Sequence, residues 1–298
     1  MFDNDQSWSG LNWHETPELK APVMVAGFRG WSDAGNVSSD TLQFLIDTLQ
    51  PRTVATLSGE PFVQYTVERP IAQIEDGIIH ELESMIAELT FWTNTEGDHD
   101  VVFLLAREPH FNWLGYANGL LGVTRRLNIQ RFYAIGGVQD TISHSSPVLV
   151  TVVASSSATV AGVVGLEPDI RAAEYYGPVS IHSYLIQACA EAGVEAVSLW
   201  GHVPAYLQKS PKVVAKLVSI LNKAVGMHCP TESLNQKSIE LDRKINEALS
   251  RDPDLKQLVE TIEGKDKPKT TPRCNDKVIR INDFLRRDPR KNPDPQEV

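Results

Sequence analysis

The sequence has few cysteines and no long apolar run, and each scarcity excludes a class of protein. The 298-residue chain has three cysteines, Cys189, Cys229 and Cys274, which are far apart and odd in number. They argue against a disulfide framework and suit a reducing compartment. No stretch approaches the roughly 20 apolar residues that span a bilayer. Residues 1–20 are polar and acidic, unlike a signal peptide. We therefore expect a cytoplasmic protein without membrane contact.

The charge of the chain weighs against nucleic acid as its main partner. Its net charge is −10, and phosphate binding requires clustered Lys and Arg. Residues 264–298 differ, with ten Lys/Arg against six Asp/Glu. We expect a flexible, solvated basic tail there. A tail that folds back on the acidic body or reaches a partner is the alternative.

Short apolar runs alternate with helical patterns over residues 21–229, and this alternation predicts the fold. Val23–Phe28 and Val101–Leu105 are continuous apolar runs typical of buried strands. Residues 38–49 have apolar side chains at helical spacing. Further strands are predicted at 53–57, 131–137, 148–154 and 194–200, and further helices at 113–127, 181–192 and 211–225. The pattern predicts an α/β protein with a mostly parallel, doubly wound sheet.

The segments around this core are less regular. We expect an irregular N-terminal arm over 1–20, strands at 62–68, 71–75 and 78–82, and a helix at 84–91. After Pro230, apolar residues recur every seven positions, but Asp252-Pro253 interrupts the repeat. An antiparallel helical hairpin at about 231–250 and 253–263 fits better than a coiled coil. The predicted organisation is an arm (1–20), a core (21–229), a helical hairpin (230–263) and the tail (264–298).

No motif in the sequence indicates a reaction. The glycines of residues 27–35 are spaced G-x-x-G-x-x-x-x-G, which matches neither dinucleotide-binding nor P-loop motifs. A tight strand-to-helix turn with Asp33 or Asn36 near the helix cap is the favoured interpretation. There is no G-x-S-x-G elbow and no H-x-x-x-H pair, and Ser155–Ser157 is expected to cap a helix. We expect no cofactor and no metal, although a metal site built from distant residues stays open.

Polar residues follow several predicted strands. Asp33, Glu108, Asp140 and His144 would share one edge of a parallel sheet, where open α/β sheets bind ligands. Acid–base chemistry or a polar ligand site is one interpretation of this grouping. Ordinary polar loops at the strand ends are the other, and we favour it.

Several segments, in order and spacing, match a known family pattern over about residues 20–263. They are Ala26–Gly35, Arg69-Pro70, Glu108-Pro109 with Trp113, Gly136-Gly137, Tyr176–Ile181 and Ala196–Lys212. The chain thereby resembles the PAC2 family, named after proteasome assembly chaperone 2. It departs from the family at Ser146, where arginine is common, at Ser180, where glycine is common, and at Ala205, where histidine is common. These departures put in doubt any shared site that uses the arginine or the histidine.

The resemblance implies a core similar to the nucleoside phosphorylase fold, a C-terminal helical extension and homo-oligomers, with trimers expected. Our first hypothesis is a protein-binding or assembly-chaperone-like factor without catalysis, with residues 231–263 and the tail as contact elements. The alternative is a binding protein or enzyme for a small nucleoside- or phosphate-like molecule. The candidate ligand or partner site comprises Arg29, Trp31, Asp33, Asn36, Glu108, His144 and Tyr176.

Overall fold

A computed structural model describes residues 11–82 and 86–264 of the chain. The predicted tail beyond Gly264, the first half of the predicted arm with Trp8, and Ser84 lie outside the described residues. The strands are β1 Leu11–Trp13, β2 Val23–Arg29, β3 Arg52–Ser58, β4 Ala72–Glu75, β5 Ile78–Leu82, β6 Ile86–Trp92, β7 Val101–Arg107, β8 Arg131–Asp140, β9 Val150–Ala154, β10 Ile170–Ala172 and β11 Glu195–Pro204. The helices are α1 Val37–Leu49, α2 Trp113–Arg126, α3 Ser157–Val164, α4 Ile181–Glu191, α5 Pro211–Val225, α6 Glu232–Arg251 and α7 Pro253–Ile262.

One large sheet of nine strands organises the chain, in the order β1-β3-β6-β7-β2-β8-β11-β9-β10. The four central strands, β7, β2, β8 and β11, are parallel, with Val25 opposite both Phe103 and Tyr133. The flanks add antiparallel pairs, β6 against β7 on one side and β9 against β11 on the other. The prediction of a parallel sheet is therefore confirmed at its centre, where continuous apolar runs place buried side chains on both faces.

Helices cover both faces of this sheet, as predicted. Successive residues of β2 point to opposite faces, so Val25 lies in the core beneath α1 and α5 while Met24 lies in the core beneath α2 and α4. Leu42 and Leu217 fill the first core, and Leu120 fills the second. The carboxyl ends of the four parallel strands meet at one edge of the sheet, which we call the carboxyl edge.

The two helices predicted after Pro230 are present as α6 and α7, and we call them the helical hairpin. Leu234, Ile245, Leu255 and Val259 are buried in the core beneath α5, so the heptad-like repeat packs on the same chain. The Asp252 carboxylate caps the start of α7, because it accepts hydrogen bonds from the backbone N–H groups of residues 254 and 255, each at 3.0 Å. Within the described residues no helix has the length and apolar character needed to cross a membrane.

Two local predictions were wrong. Residues 84–91, expected to be helical, contain the strand β6, which pairs with β3 and β7. Leu89 and Phe91 alternate into the core there, and this tertiary pairing overrides a weak helical pattern. Residues 62–68, expected to be a strand, form turns, with Phe62 buried as an anchor. The sequence also gave no signal for β10, nor for β1, through which Leu11 and Trp13 attach the predicted arm to β3.

Candidate functional site at the carboxyl edge

The loop between β2 and α1 is a tight turn that two glycines make possible. Gly30 has φ +136°, and a Cβ there would lie 3.0 Å from Cβ of Glu108. Gly35 has φ +62°, and its Cβ would lie 2.9 Å from Val203. Only glycine adopts the first conformation readily. The glycines thus permit close packing and a left-handed turn, as predicted.

Asp33 caps helix α1. Its Oδ1 accepts the backbone N–H of Ser39 at 3.0 Å, and its Oδ2 accepts the Ser39 hydroxyl at 2.6 Å. Burial raises the pKa of the carboxyl, while the two bonds from Ser39 oppose that rise. Asn36 adopts a left-handed conformation, with φ 53°, and its side chain makes no capping bond. Of the two predicted capping residues, Asp33 therefore has this role.

Glu108 ties three elements together at the end of β7. Its Oε2 accepts the N–H of Trp31 at 3.0 Å, and its Oε1 accepts the N–H of Ile181, the first residue of α4, at 2.9 Å. Its own backbone N–H donates to the carbonyl of Arg29 at 2.8 Å. The Glu108 carboxylate, one of the candidates for acid–base chemistry, thus accepts hydrogen bonds from two backbone N–H groups.

His144 contacts a different set of groups, beneath α6 and α7. Its backbone N–H and its Nδ1 each lie 2.8 Å from the Tyr206 hydroxyl, and its Nε2 lies 3.1 Å from Oδ1 of Asn246. The Tyr206 hydroxyl donates to Glu263 at 2.8 Å, and Lys212 donates to the His144 carbonyl at 2.9 Å. This cluster fastens the helical hairpin to the core.

Asp140 also has a structural partner. Its Oδ2 lies 2.8 Å from Nδ1 of His202 on β11, and that hydrogen bond lowers the pKa of the carboxyl. The four strand-end groups of the sequence prediction are therefore divided among separate partners, and their contacts favour the interpretation as structural polar loops.

The burial of two polar atoms near this edge was not predicted from the sequence. Ser32 Oγ and His182 Nε2 have no hydrogen-bond partner among the described residues. His182 lies in the first turn of α4, where Nδ1 contacts the Ser198 hydroxyl at 2.9 Å. Burial lowers its pKa to about 3, so the ring is neutral. A serine and a histidine far apart in sequence, within ordinary helix and loop patterns, give no signal that their side chains will be buried without a partner.

Large exposed side chains, most of them aromatic, lie on the segments that lead into or begin α1, α2 and α4, and we call these residues together the aromatic patch. It consists of Trp31, Phe111, Leu114, Tyr175, Tyr176 and Tyr184. Tyr176 is fully exposed, and the Trp31 side chain is 62% exposed. Trp31 and the start of α4 share the Glu108 carboxylate, and the Tyr184 ring packs edge-on against Trp113 of α2 at 5.2 Å.

Arg29, also exposed, precedes this patch on β2. Aromatic residues and arginine are the types enriched in protein interfaces, and exposed apolar patches of several hundred Å² mark interaction sites. Five of the seven predicted site residues thus lie along this edge. Tyr176 lies in the segment before α4, and His144 belongs to the cluster beneath the helical hairpin. Over the part of the chain that the structure describes, no group of three or more His, Cys, Asp or Glu side chains is placed to hold a metal.

Comparison with known proteins identifies the family. The PAC2 family model matches residues 27–249. A PAC2 family protein from Streptomyces avermitilis is 28% identical, with a TM-score of 0.68 over 76% of this chain and 95% of that one. A proteasome-assembly chaperone homologue from Mycobacterium tuberculosis is also 28% identical, with a TM-score of 0.72 over 80% of this chain and 99% of that one.

A more distant structure shares the fold alone. An archaeal proteasome activator from Pyrococcus furiosus is 18% identical, with a TM-score of 0.65 over 80% of this chain and 97% of that one. A search of curated proteins gives no significant match. The family model spans well over half of the sequence, so the resemblance seen in the motifs is confirmed: the chain belongs to the PAC2 family.

Proposed function

We propose that this chain is a protein-binding, assembly-chaperone-like factor that acts without catalysis, and that the aromatic patch is its protein contact surface. One observation carries the proposal. The carboxylates at the carboxyl edge are bound to backbone N–H groups, while large aromatic rings beside them are exposed. Such an edge offers area for a protein partner rather than acid–base groups for a substrate.

The proteasome is the partner that the relatives suggest. The Mycobacterium tuberculosis relative is described as a proteasome-assembly chaperone homologue. The proposal includes a cytoplasmic location, supported by the cysteine usage, and a homo-oligomer, with the trimer expected from the family resemblance. The likeness to the nucleoside phosphorylase fold stays a prediction.

The proposed surface differs from the contact elements predicted from sequence. Helices α6 and α7 direct Leu234, Ile245 and Leu255 into their own core, so their apolar stripe is covered. The predicted tail lies outside the described residues. The residues of the aromatic patch, in contrast, are exposed.

Binding to purified proteasome subunits of the source organism tests the proposal. Biolayer interferometry with the wild-type chain should show binding, and Trp31→Ala/Tyr176→Ala should weaken it at least about tenfold, as for hot-spot residues. Ile239→Ala is the matched control, because Ile239 is 71% exposed on α6, outside the patch. Equal binding by the patch variant, or no binding by the wild type, would overturn the proposal.

A second candidate function, binding of a small polar ligand, has one observation in its favour. Ser32 Oγ and His182 Nε2 are buried, and neither has a hydrogen-bond partner in the part of the chain that the structure describes, so a polar ligand is one way to satisfy such an atom. A thermal-shift screen against nucleosides, phosphate and divalent cations tests this candidate. Ligand at about 100 times its dissociation constant adds about 2.7 kcal/mol of stability. A shift that disappears in Ser32→Ala would favour the ligand, and a flat screen would favour the protein partner.

A further inference from the structure

A cavity lies at the edge of the large sheet opposite to the carboxyl edge, and we call it the amino-end cavity. Arg131 and Glu195, the first residues of the paired parallel strands β8 and β11, line it together with side chains of α3 and of the last turn of α5. Its volume is about 200 Å³. A cavity of about 150 Å³ accommodates benzene, so this one has room for a molecule the size of a single amino acid.

The buried hydroxyl of Tyr133, whose side chain lines the cavity, has a proton without an acceptor. The residue is 1% exposed. Its oxygen accepts a hydrogen bond from Nη1 of Arg131 at 3.1 Å, and a guanidinium has no lone pair with which to accept one in return. This hydroxyl has no other hydrogen-bond partner among the described residues. Buried polar groups are normally hydrogen-bonded, so the O–H group points to an acceptor that the cavity would hold.

Glu195 and Lys223, which also line the cavity, have hydrogen-bonding capacity to spare. Nε and Nη2 of Arg131 both contact Oε2 of Glu195, which leaves Oε1 available to accept a hydrogen bond. The ammonium group of Lys223 has three donors, and one of them is directed to Glu167, whose Oε1 lies 3.0 Å away. The cavity therefore offers donors at Tyr133 and Lys223 and an anionic acceptor at Glu195.

The remaining lining is apolar, and small residues keep the space open. Val163, Leu166 and Val197 provide the apolar wall. Gly162 on α3 lines the cavity, and a Cβ at this position would meet no heavy atom within 4 Å. An apolar wall with a few polar groups that fix orientation is typical of a small-molecule site.

The charges in and beside the cavity are balanced, which limits the charge of a ligand. Three cations are paired with three carboxylates: Arg131, Lys216 and Lys223 with Glu167, Asp169 and Glu195. A ligand with a net charge would leave one charge uncompensated in a partly buried site, which costs free energy. A zwitterion adds no net charge and uses both the donors and the anionic acceptor.

We propose that the amino-end cavity binds a free amino acid with an apolar side chain. The carboxylate of the ligand accepts hydrogen bonds from the Tyr133 hydroxyl and the Lys223 ammonium, and its own ammonium donates to Oε1 of Glu195. Its side chain packs against the apolar wall. The site is separate from the proposed protein contact surface, because none of its residues belongs to the aromatic patch.

Isothermal titration calorimetry of the full-length chain with L-leucine and L-phenylalanine tests this proposal. We expect the wild type to bind at least one of them, and Tyr133→Phe to weaken that binding at least about tenfold, because a hydrogen bond to a charged group is lost. Gly162→Leu should abolish binding by filling the cavity, and it should leave α3 intact, since leucine favours a helix more than glycine does. Ala161→Leu is the matched control, because it adds the same side chain to the same helix at an exposed position that does not line the cavity.

Two analogues of leucine test the two charges of the ligand separately. Isocaproate lacks the ammonium group and isoamylamine lacks the carboxylate, and each should bind at least about tenfold more weakly than L-leucine. No binding of either amino acid to the wild type would overturn the proposal. Binding at wild-type strength by Gly162→Leu or Tyr133→Phe, or an analogue that binds as tightly as L-leucine, would overturn it as well.

Discussion

Removing the Glu108 carboxylate should destabilise the fold in proportion to the backbone bonds that it makes. In Glu108→Ala, the N–H groups of Trp31 and Ile181 lose their acceptor. A hydrogen bond to a charged group contributes about 1.5–3 kcal/mol. Because the side chain is half-buried, water replaces part of each bond. We expect a loss of about 2–3 kcal/mol in the free energy of unfolding.

Glu108→Gln gives a graded comparison. The amide retains one carbonyl oxygen, so one of the two N–H groups keeps an acceptor, and we expect a loss of about 1–1.5 kcal/mol, half that of the alanine variant. Urea unfolding with linear extrapolation measures all the variants. Glu60→Ala is the control, because Glu60 is exposed. If both Glu108 variants unfold within about 0.5 kcal/mol of wild type, the carboxylate does not hold the turn and is available for a ligand.

Two further predictions concern the other polar groups. Tyr206→Phe removes the hydroxyl that joins His144 to Glu263. It should cost about 1–3 kcal/mol and speed amide hydrogen exchange in α6 and α7, and wild-type exchange there would contradict the role given to the cluster. Burial raises the Asp33 pKa above 3.8, so the folded state binds this proton more tightly than the unfolded chain does. Its contribution to stability therefore falls as pH rises from the unfolded pKa through the raised folded pKa. Asp33→Asn should remove that fall in urea titrations carried out from pH 3.8 upward, and an unchanged pH dependence would refute the assignment.

The sequence predicted those parts of the fold that are specified locally. The continuous apolar runs of β2 and β7 and the amphipathic spacing of α5 each determine their own structure, so these elements appear where expected. Strand β6 was missed because its seven residues depend on pairing with β3 and β7, which lie about 30 residues before it and 10 after it. The three-residue strand β10 is too short to have any pattern of its own.

The site was predicted less well than the fold, since its residues depend on long-range partners. Position after a strand correctly placed Asp33 and Glu108 at one edge. It could not reveal that Glu108 accepts the N–H of Ile181, 73 positions later, or that His144 contacts Asn246, 102 positions later. Those partners decide whether a polar group is free to react. The exposure of Trp31 and Tyr176 likewise appears only once the chain is folded.

A carboxylate at the end of a strand can bind a ligand or take part in a reaction, or it can accept hydrogen bonds from nearby backbone N–H groups. The fold decides which of the two it does. The first turn of a helix has backbone N–H groups without acceptors, and in α/β folds this turn lies beside the strand ends. Asp33 and Glu108 satisfy such groups in α1 and α4, which makes them part of the architecture. Each carboxylate used in this way fixes a loop, and the Glu108 carboxylate fixes the one that carries Trp31. Glu108, for which acid–base chemistry was the less favoured interpretation, thus holds in place the loop that carries Trp31, part of the surface through which, we propose, the protein binds its partners.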